Sequence, residues 1–291
     1  MQDKRVERII LTVGTSLVLL VLYRLVEWFM RRKRSLPGEM AGSNAAAQLL
    51  SAGHAFAVLL LLPGIATNCV TGDSFEGDLV SSLLFGAAGV IVIELVGGIG
   101  VKLLVRGSIE REIADGNVAA GIAGAANYVS IGVLASRAIG GTDLRGLGLS
   151  LTFFALAIVT LTLFVGVFRA FTTYDDEEQV RGRNVAAAIS YGGVSVAVAI
   201  IVSRALEGDF KGWEESLTGY ALVAVCALIL YPVRQLVVQG LLMWKAPTLR
   251  GGALDRSIGL ERKTGVAVLE SLAYVATAIT ISEIVSGQTQ G

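Results

Sequence analysis

Of the titratable side chains that fall inside apolar stretches of this sequence, where a buried charge is costly, three stand out. Glu94 is flanked by isoleucine and leucine, Glu270 lies in the last apolar stretch, and His54 is the single histidine. Inside a membrane such groups handle protons or cations, or they form buried hydrogen bonds and partner contacts. Both roles stay open for Glu94 and Glu270, whereas a lone histidine such as His54 favours a packed, hydrogen-bonded residue over a ligand.

The ionisation state of Glu94 depends on its surroundings. Desolvation disfavours the charged form of a carboxyl group, so we expect Glu94 to be protonated unless a cation lies near it. The sequence offers Arg24, Arg234 or a permeating ion as that cation, and it does not choose between them.

A second set of polar residues recurs with the chain's internal repeat. Asn44, Asn117 and Asn184 each begin an apolar run rich in alanine, and Thr264 takes this place in a fourth run. Asparagine is a favoured helix N-cap, because its side chain accepts from an unpaired amide of the first turn. The alternatives are a ring of amides at the mouth of a pore or hydrogen bonds between helices.

These residues must be positioned by helices that cross a membrane, since about 20 apolar residues span the hydrocarbon layer. The run from Leu151 to Val167 has no polar face, which excludes a soluble helical protein. The eight predicted spans are 9–30, 44–68, 78–104, 117–140, 145–171, 184–206, 214–244 and 264–286.

The spans alternate in composition, which predicts a repeat of two helices. Bulky spans, the b-helices, alternate with spans rich in Ala, Gly and Ser, the a-helices, and residues 117–141 and 184–208 share 10 of 25 residues. The predicted fold is all-α, with four parallel b–a units at 1–70, 71–141, 142–208 and 209–291. Small residues four apart, such as Ala188 and Gly192, predict that the a-helices pack inside, while Thr162 on a b-helix is expected to face lipid.

Charge and composition limit the function. Basic residues concentrate in the b-to-a linkers, which predicts linkers in the cytoplasm and both termini outside. The net charge is zero, so the composition gives no sign of a basic surface that would bind nucleic acid. No motif of a phosphate-binding, serine-hydrolase or zinc-protease site occurs, so we expect no catalytic residue, cofactor or metal.

The linkers also carry a family resemblance. An acidic linker, then a polar–apolar pair, then Asn-x-Ala-Ala entering a glycine-rich span occurs at 172–188 and, in similar form, at 112–120. This pattern resembles the domain of unknown function 350 family of bacterial inner-membrane proteins. The resemblance implies a b–a pair as the family unit and a membrane-stress or transport setting.

Two main hypotheses follow for the function. The first is a non-enzymatic protein of the cell inner (cytoplasmic) membrane that acts by association with the lipid bilayer, with copies of itself as a homo-oligomer, or with a membrane-stress protein. The second is a channel or transporter for an ion or small solute, with the a-helices around a polar path. A membrane enzyme is the third and weakest hypothesis.

Overall fold

The computed structural model describes residues 2–30, 40–104, 109–207 and 210–288. This part of the chain is helical, without strands. It contains eight helices that are long and apolar enough to cross a membrane, and each coincides within a few residues with a predicted span. The eight are Ile9–Phe29, Ala45–Asn68, Phe75–Gly100, Val118–Ala138, Leu144–Ala170, Val185–Arg204, Trp213–Leu242 and Thr264–Val285.

The spans alternate between the two predicted helix types. The b-helices are α1 (Gln2–Met30), α3 (Phe75–Leu104), α6 (Leu144–Ala170) and the seventh span. The a-helices are α2 (Ala45–Asn68), α5 (Val118–Ala138), α8 (Val185–Arg204) and α12 (Thr264–Gln288). Two linkers contain a short helix, α4 (Ile109–Ala114) and α7 (Asp176–Arg181). The all-α membrane fold predicted from the sequence is confirmed.

The seventh span is not one regular helix. It consists of α9 (Trp213–Val225), a 3₁₀ turn (Cys226–Ile229), α10 (Leu230–Pro232) and a π-helical segment (Val233–Leu242). The irregularity surrounds Pro232, which has no backbone N–H to donate. The linker that follows holds α11 (Ala253–Asp255) and a second π-helical segment (Arg256–Leu260).

The a-helices pack side by side through small residues, as predicted. A Cβ on Gly53 would overlap the backbone of Ala125, and a Cβ on Gly64 would overlap the backbone of Ser136. Both contacts join equivalent depths of α2 and α5, so these two helices run parallel. Gly192 of α8 lies against α5 through a side chain instead, since a Cβ on it would meet the Cβ of Ala126. Close backbone approach of this kind is what small residues permit in lipid.

The inner and outer positions agree with the prediction for three of the four units. Within their apolar windows, α2, α5 and α8 are 50%, 61% and 72% buried, whereas the b-helix spans reach at most 44%. Thr162 is exposed on α6, as expected of a lipid-facing b-helix. The fourth a-helix was predicted to lie inside, and this is wrong. α12 is only 28% buried and lies at one end of the row of a-helices.

Candidate functional site: two buried polar centres

The three repeat asparagines each make two kinds of hydrogen bond. The side-chain oxygens of Asn44, Asn117 and Asn184 accept from backbone amides in the first turn of their own helices, so the predicted N-caps are present. Their side-chain amides reach the linker of the next unit. The bonds are Asn44 to the carbonyl of Ile113 at 2.6 Å, Asn117 to Val180 at 2.7 Å and Asn184 to Ile258 at 2.9 Å.

The polar residue five positions before two of these asparagines takes part in the same bond network. Asn117 donates to the carboxylate of Glu112 at 2.7 Å, and Asn184 donates to the amide oxygen of Gln179 at 2.6 Å. Asn117 and Asn184 are fully buried. Their amides are therefore engaged in packing between units, and the hypothesis that they ring the mouth of a pore is wrong for these two.

His54 and Glu94 lie together in the first half of the chain. His54 is the tenth residue of α2, about 14 Å along the helix, and Glu94 lies about 15 Å before the end of α3. Nε2 of His54 is 2.6 Å from Oε1 of Glu94, and both side chains are 2% exposed or less. The basic group beside Glu94 is thus His54. Of the three candidates that the sequence left open, Arg24 pairs with Glu27 and Arg234 pairs with Asp255 and Glu270, while a permeating ion stays untested.

Two tyrosines also lie beside this pair. The hydroxyl of Tyr23 on α1 lies 3.3 Å from Nδ1 of His54, and the ring of Tyr128 on α5 packs 4.6 Å from the imidazole, centroid to centroid. Arg24 on α1 instead pairs with Glu27, one turn along the same helix. Four helices therefore converge on His54, which is packed and hydrogen-bonded as predicted for a lone histidine.

Glu270 belongs to a second centre, built around Arg234 in the second half of the chain. Nε of Arg234 donates to Oε1 of Glu270 at 2.6 Å, and its terminal nitrogen pairs with Asp255. The guanidinium group is 1% exposed. The hydroxyl of Tyr274 also donates to Oε1 of Glu270, at 3.0 Å. The role of Asp255 was missed from the sequence, because it lies in a linker that reads as solvated.

The second centre also holds a linker in place. Oδ2 of Asp255 accepts from the backbone amide of Thr173 at 2.7 Å and from its hydroxyl at 3.0 Å. Two carboxylates therefore share one guanidinium group. Oε2 of Glu270 is buried and has no hydrogen-bond partner among the described residues.

The two centres occupy similar positions in the two halves of the chain, but they differ in their basic group. Glu94 lies on the second b-helix of the first half, and Arg234 lies on the second b-helix of the second half. The basic group of the first centre is an imidazole, whereas that of the second is a guanidinium group, which stays charged at any physiological pH. No group of three or more histidine, cysteine, aspartate or glutamate residues in the described part of the chain could hold a metal ion.

Comparison with known proteins places these centres in a family. The model of the family described as Domain of Unknown Function (DUF350) matches residues 5–139 and 142–285. Each match spans two b–a pairs, so the family unit is twice the single pair that the resemblance implied. His54 and Glu94 lie in the first matched segment, whereas Arg234, Asp255 and Glu270 lie in the second.

A curated relative adds the membrane location. A "UPF0719 transmembrane protein" of Aquifex aeolicus (strain VF5) is 26% identical over 106 residues. The match covers 36% of this chain and 40% of that protein, so less than half of either chain is compared. No solved structure matches the chain.

Proposed function

This chain belongs to the DUF350 family and is a multi-pass membrane protein, and we propose that it acts without catalysis, by association at the bacterial cytoplasmic membrane. The association engages anionic lipid headgroups through the fourth b-to-a linker, which comprises residues 243–263. A membrane-stress setting, which the family resemblance implies, agrees with a protein that senses or organises lipid.

The exposed surface of the fourth linker carries the proposal. Trp244, Leu249 and Leu260 are 87%, 80% and 79% exposed, which is unusual for side chains of this size. Exposed basic residues surround them, namely Lys245, Arg250, Arg256, Arg262 and Lys263. Tryptophan and leucine beside lysine and arginine are typical of segments that lie in the interface of an anionic membrane.

Close packing in the interior argues against a wide polar path. His54, Asn117, Asn184 and Glu270 are fully buried, and Glu94 is 4% exposed. These side chains contact protein atoms, and neighbouring a-helices touch through backbone at Gly53 and Gly64. A channel for a hydrated solute would need the same residues to line water.

The lipid experiment compares vesicles of neutral phosphatidylcholine with vesicles that contain phosphatidylglycerol. Trp28 and Trp213 are first replaced by phenylalanine, so that emission reports Trp244 alone. We expect bromine-labelled anionic lipid to quench Trp244 more strongly than bromine-labelled neutral lipid. The preference should disappear in Lys245→Gln/Arg250→Gln and persist in the control Lys211→Gln, which changes a loop on the opposite side of the bundle. Equal quenching by both lipids would contradict the proposal.

A flux experiment tests the alternative. Ion-selective dyes inside proteoliposomes should report no more entry of protons, sodium or potassium than in protein-free liposomes. Saturable entry of any of these ions would replace association with transport as the function.

A further inference from the structure

We propose that the fourth linker folds back into the membrane, so that its tip at Leu249 and Arg250 enters the boundary between lipid headgroups and acyl chains. The occupant of this surface is the phospholipid of the surrounding bilayer. The inference rests on the lipid contact proposed above, and it names the part of the linker that inserts and the side chains that hold it there.

The fourth linker is longer than the linkers of the other three units. It comprises residues 243–263, which are 21 residues, whereas the linkers at 31–44, 105–117 and 171–184 have 13 or 14. The shorter linkers join equivalent helices, so the additional residues of the fourth linker are available for another role.

The first half of this linker runs back along the seventh span, antiparallel to it. Nε2 of Gln239 donates to the carbonyl of Ala246 at 2.7 Å, and the hydroxyl of Tyr231 donates to the carbonyl of Leu249. Gln235 lies between these two side chains and bonds to the backbone of Thr248 in either orientation of its amide. From Gln239 to Tyr231 the distance along the helix is on the order of 10 Å.

The ion pairs of Arg234 give the depth of this path in the bundle. Nε of Arg234 donates to Glu270, which lies about 9 Å inside the start of α12. Tyr231 precedes Arg234 on the span, and Asp255 on the returning part of the linker pairs with the same guanidinium group. The tip at Leu249 therefore lies at about the level of the second turn of α12, a membrane-spanning helix.

Hydrogen bonds to protein satisfy the backbone of the linker at this depth. Besides the bonds to Ala246 and Leu249, the hydroxyl of Thr248 donates to the carbonyl of Gly251 at 2.8 Å, and the N–H of Leu254 donates to Oε1 of Gln239 at 3.0 Å. Irregular backbone is tolerated at membrane depth only where protein satisfies its polar groups in this way. The need to hold the linker explains why the seventh span carries three polar side chains, one every fourth residue, near its end.

Two glycines reverse the direction of the linker after its tip. Gly251 and Gly252 have φ angles of +72° and +101°, in the left-handed region that favours glycine. A Cβ on Gly252 would also approach the hydroxyl oxygen of Thr248 to 2.5 Å. The linker is thus built as a tight return and not as an open loop.

The side chains at the tip suit the membrane boundary. Leu249 is 80% exposed, and Arg250 beside it is also exposed. A leucine can enter the acyl chains while the long side chain of an arginine extends back to the lipid phosphates. Leu260 is 79% exposed as well, but it lies four residues before α12 begins, at the shallow end of the bundle.

A comparison of these two leucines tests the insertion. The three tryptophans are replaced by phenylalanine, and the Leu249→Trp and Leu260→Trp variants then each contain a single reporter. Both are reconstituted in nanodiscs of neutral phosphatidylcholine, whose two faces are open to solvent. We expect position 249 to be quenched strongly by lipid brominated near the carbonyl end of its acyl chains, and several-fold less than position 260 by aqueous iodide. Equal quenching of both positions by iodide would overturn the proposal.

Variants of the seventh span test the side chains that hold the linker. In the Leu249→Trp background, Gln239→Leu should raise iodide quenching several-fold, because it removes the bonds to both Ala246 and Leu254. Tyr231→Phe removes only the bond at the tip and should give a smaller rise. The matched control is Gln48→Leu, since Gln48 donates to backbone carbonyls of the first linker, and it should change nothing.

The reporter at position 260 separates release of the linker from loss of the fold. Its quenching should stay the same in Gln239→Leu and in Tyr231→Phe. Unchanged quenching of position 249 in both variants would refute the role of these side chains, even if Gln239→Leu alone failed to fold.

The neutral lipid makes this test independent of headgroup charge. A protected position 249 without any preference of Trp244 for anionic lipid would support insertion and contradict the proposed lipid selectivity. A clear preference of Trp244 for anionic lipid with position 249 open to iodide would support the selectivity and overturn insertion.

Discussion

The side-chain amide of Asn117 donates to the backbone carbonyl of Val180 at 2.7 Å and thereby joins one repeat unit to the linker of the next. The same side chain caps α5 through its oxygen. A single asparagine thus orders its own helix and sets the position of its neighbour.

Replacing Asn117 should cost more stability than replacing its partly exposed counterpart. Asn117→Ala removes a cap and the bonds that its buried amide donates to Glu112 and to the carbonyl of Val180, and we expect a loss of about 2 kcal/mol in the free energy of unfolding. Asn44 is partly exposed, so Asn44→Ala should cost about 1 kcal/mol. Unfolding in mixed micelles measures both, and equal losses would show that burial of the bond between units adds no stability.

Adding one methyl group should have opposite effects at two helical glycines. A Cβ on Gly64 would overlap the backbone carbonyl of Ser136, whereas a Cβ on Gly166 meets open space. Gly64→Ala should therefore destabilise by about 1–3 kcal/mol, while Gly166→Ala should stabilise by about 0.5–1 kcal/mol through helix propensity. Thermal unfolding in detergent compares the two, and shifts of the same sign would contradict the close contact of α2 with α5.

Removal of Arg234 should be far more damaging than removal of one of its partners. Arg234→Met leaves two buried carboxylates without a cation, which costs about 3–5 kcal/mol. Glu270→Gln should be milder, because Arg234 keeps its pair with Asp255. A double-mutant cycle between Arg234 and Asp255 should show a coupling of about 0.5–3 kcal/mol. Additive effects would mean that the two groups do not interact in solution.

Stability should depend on Cys69 at alkaline pH. Burial raises the pKa of its thiol from 9.0 to about 11. The folded chain keeps this proton while the unfolded chain releases it, so the stabilising contribution is complete below pH 9 and is lost between pH 9.0 and about 11. The difference in unfolding free energy between wild type and Cys69→Ala should fall by roughly 2–3 kcal/mol over that window. A constant difference would show that the thiol is solvated in the folded protein.

The membrane topology remains a prediction that labelling can check. Leu249 is 80% exposed in the fourth linker, and Asp73 is exposed in the loop between α2 and α3. A membrane-impermeant maleimide added to intact cells should label Asp73→Cys and not Leu249→Cys, because the basic linkers face the cytoplasm. The reverse labelling pattern would invert the assignment of the linkers.

Local signals in the sequence determined the helices and their order. Runs of about 20 apolar residues locate the eight spans, and Asn44, Asn117 and Asn184 mark where three a-helices begin, because capping depends on the residue and its own first turn. Small residues four apart in α5 and α8 predicted that the a-helices pack inside, and this holds for α2, α5 and α8. The same reasoning failed for α12, since its burial depends on whether a further helix packs beyond it.

Only the tertiary structure decided which polar groups meet. His54 and Glu94 are 40 positions apart in the sequence. Arg234 lies in a π-helical segment that the sequence pattern does not predict, and its partner Asp255 lies in the linker that follows. Such pairs depend on the depth and rotation of each helix, which many weak packing contacts set together. The sequence by itself determined that costly charges lie within the membrane, and the packing of the helices determined how each one is balanced.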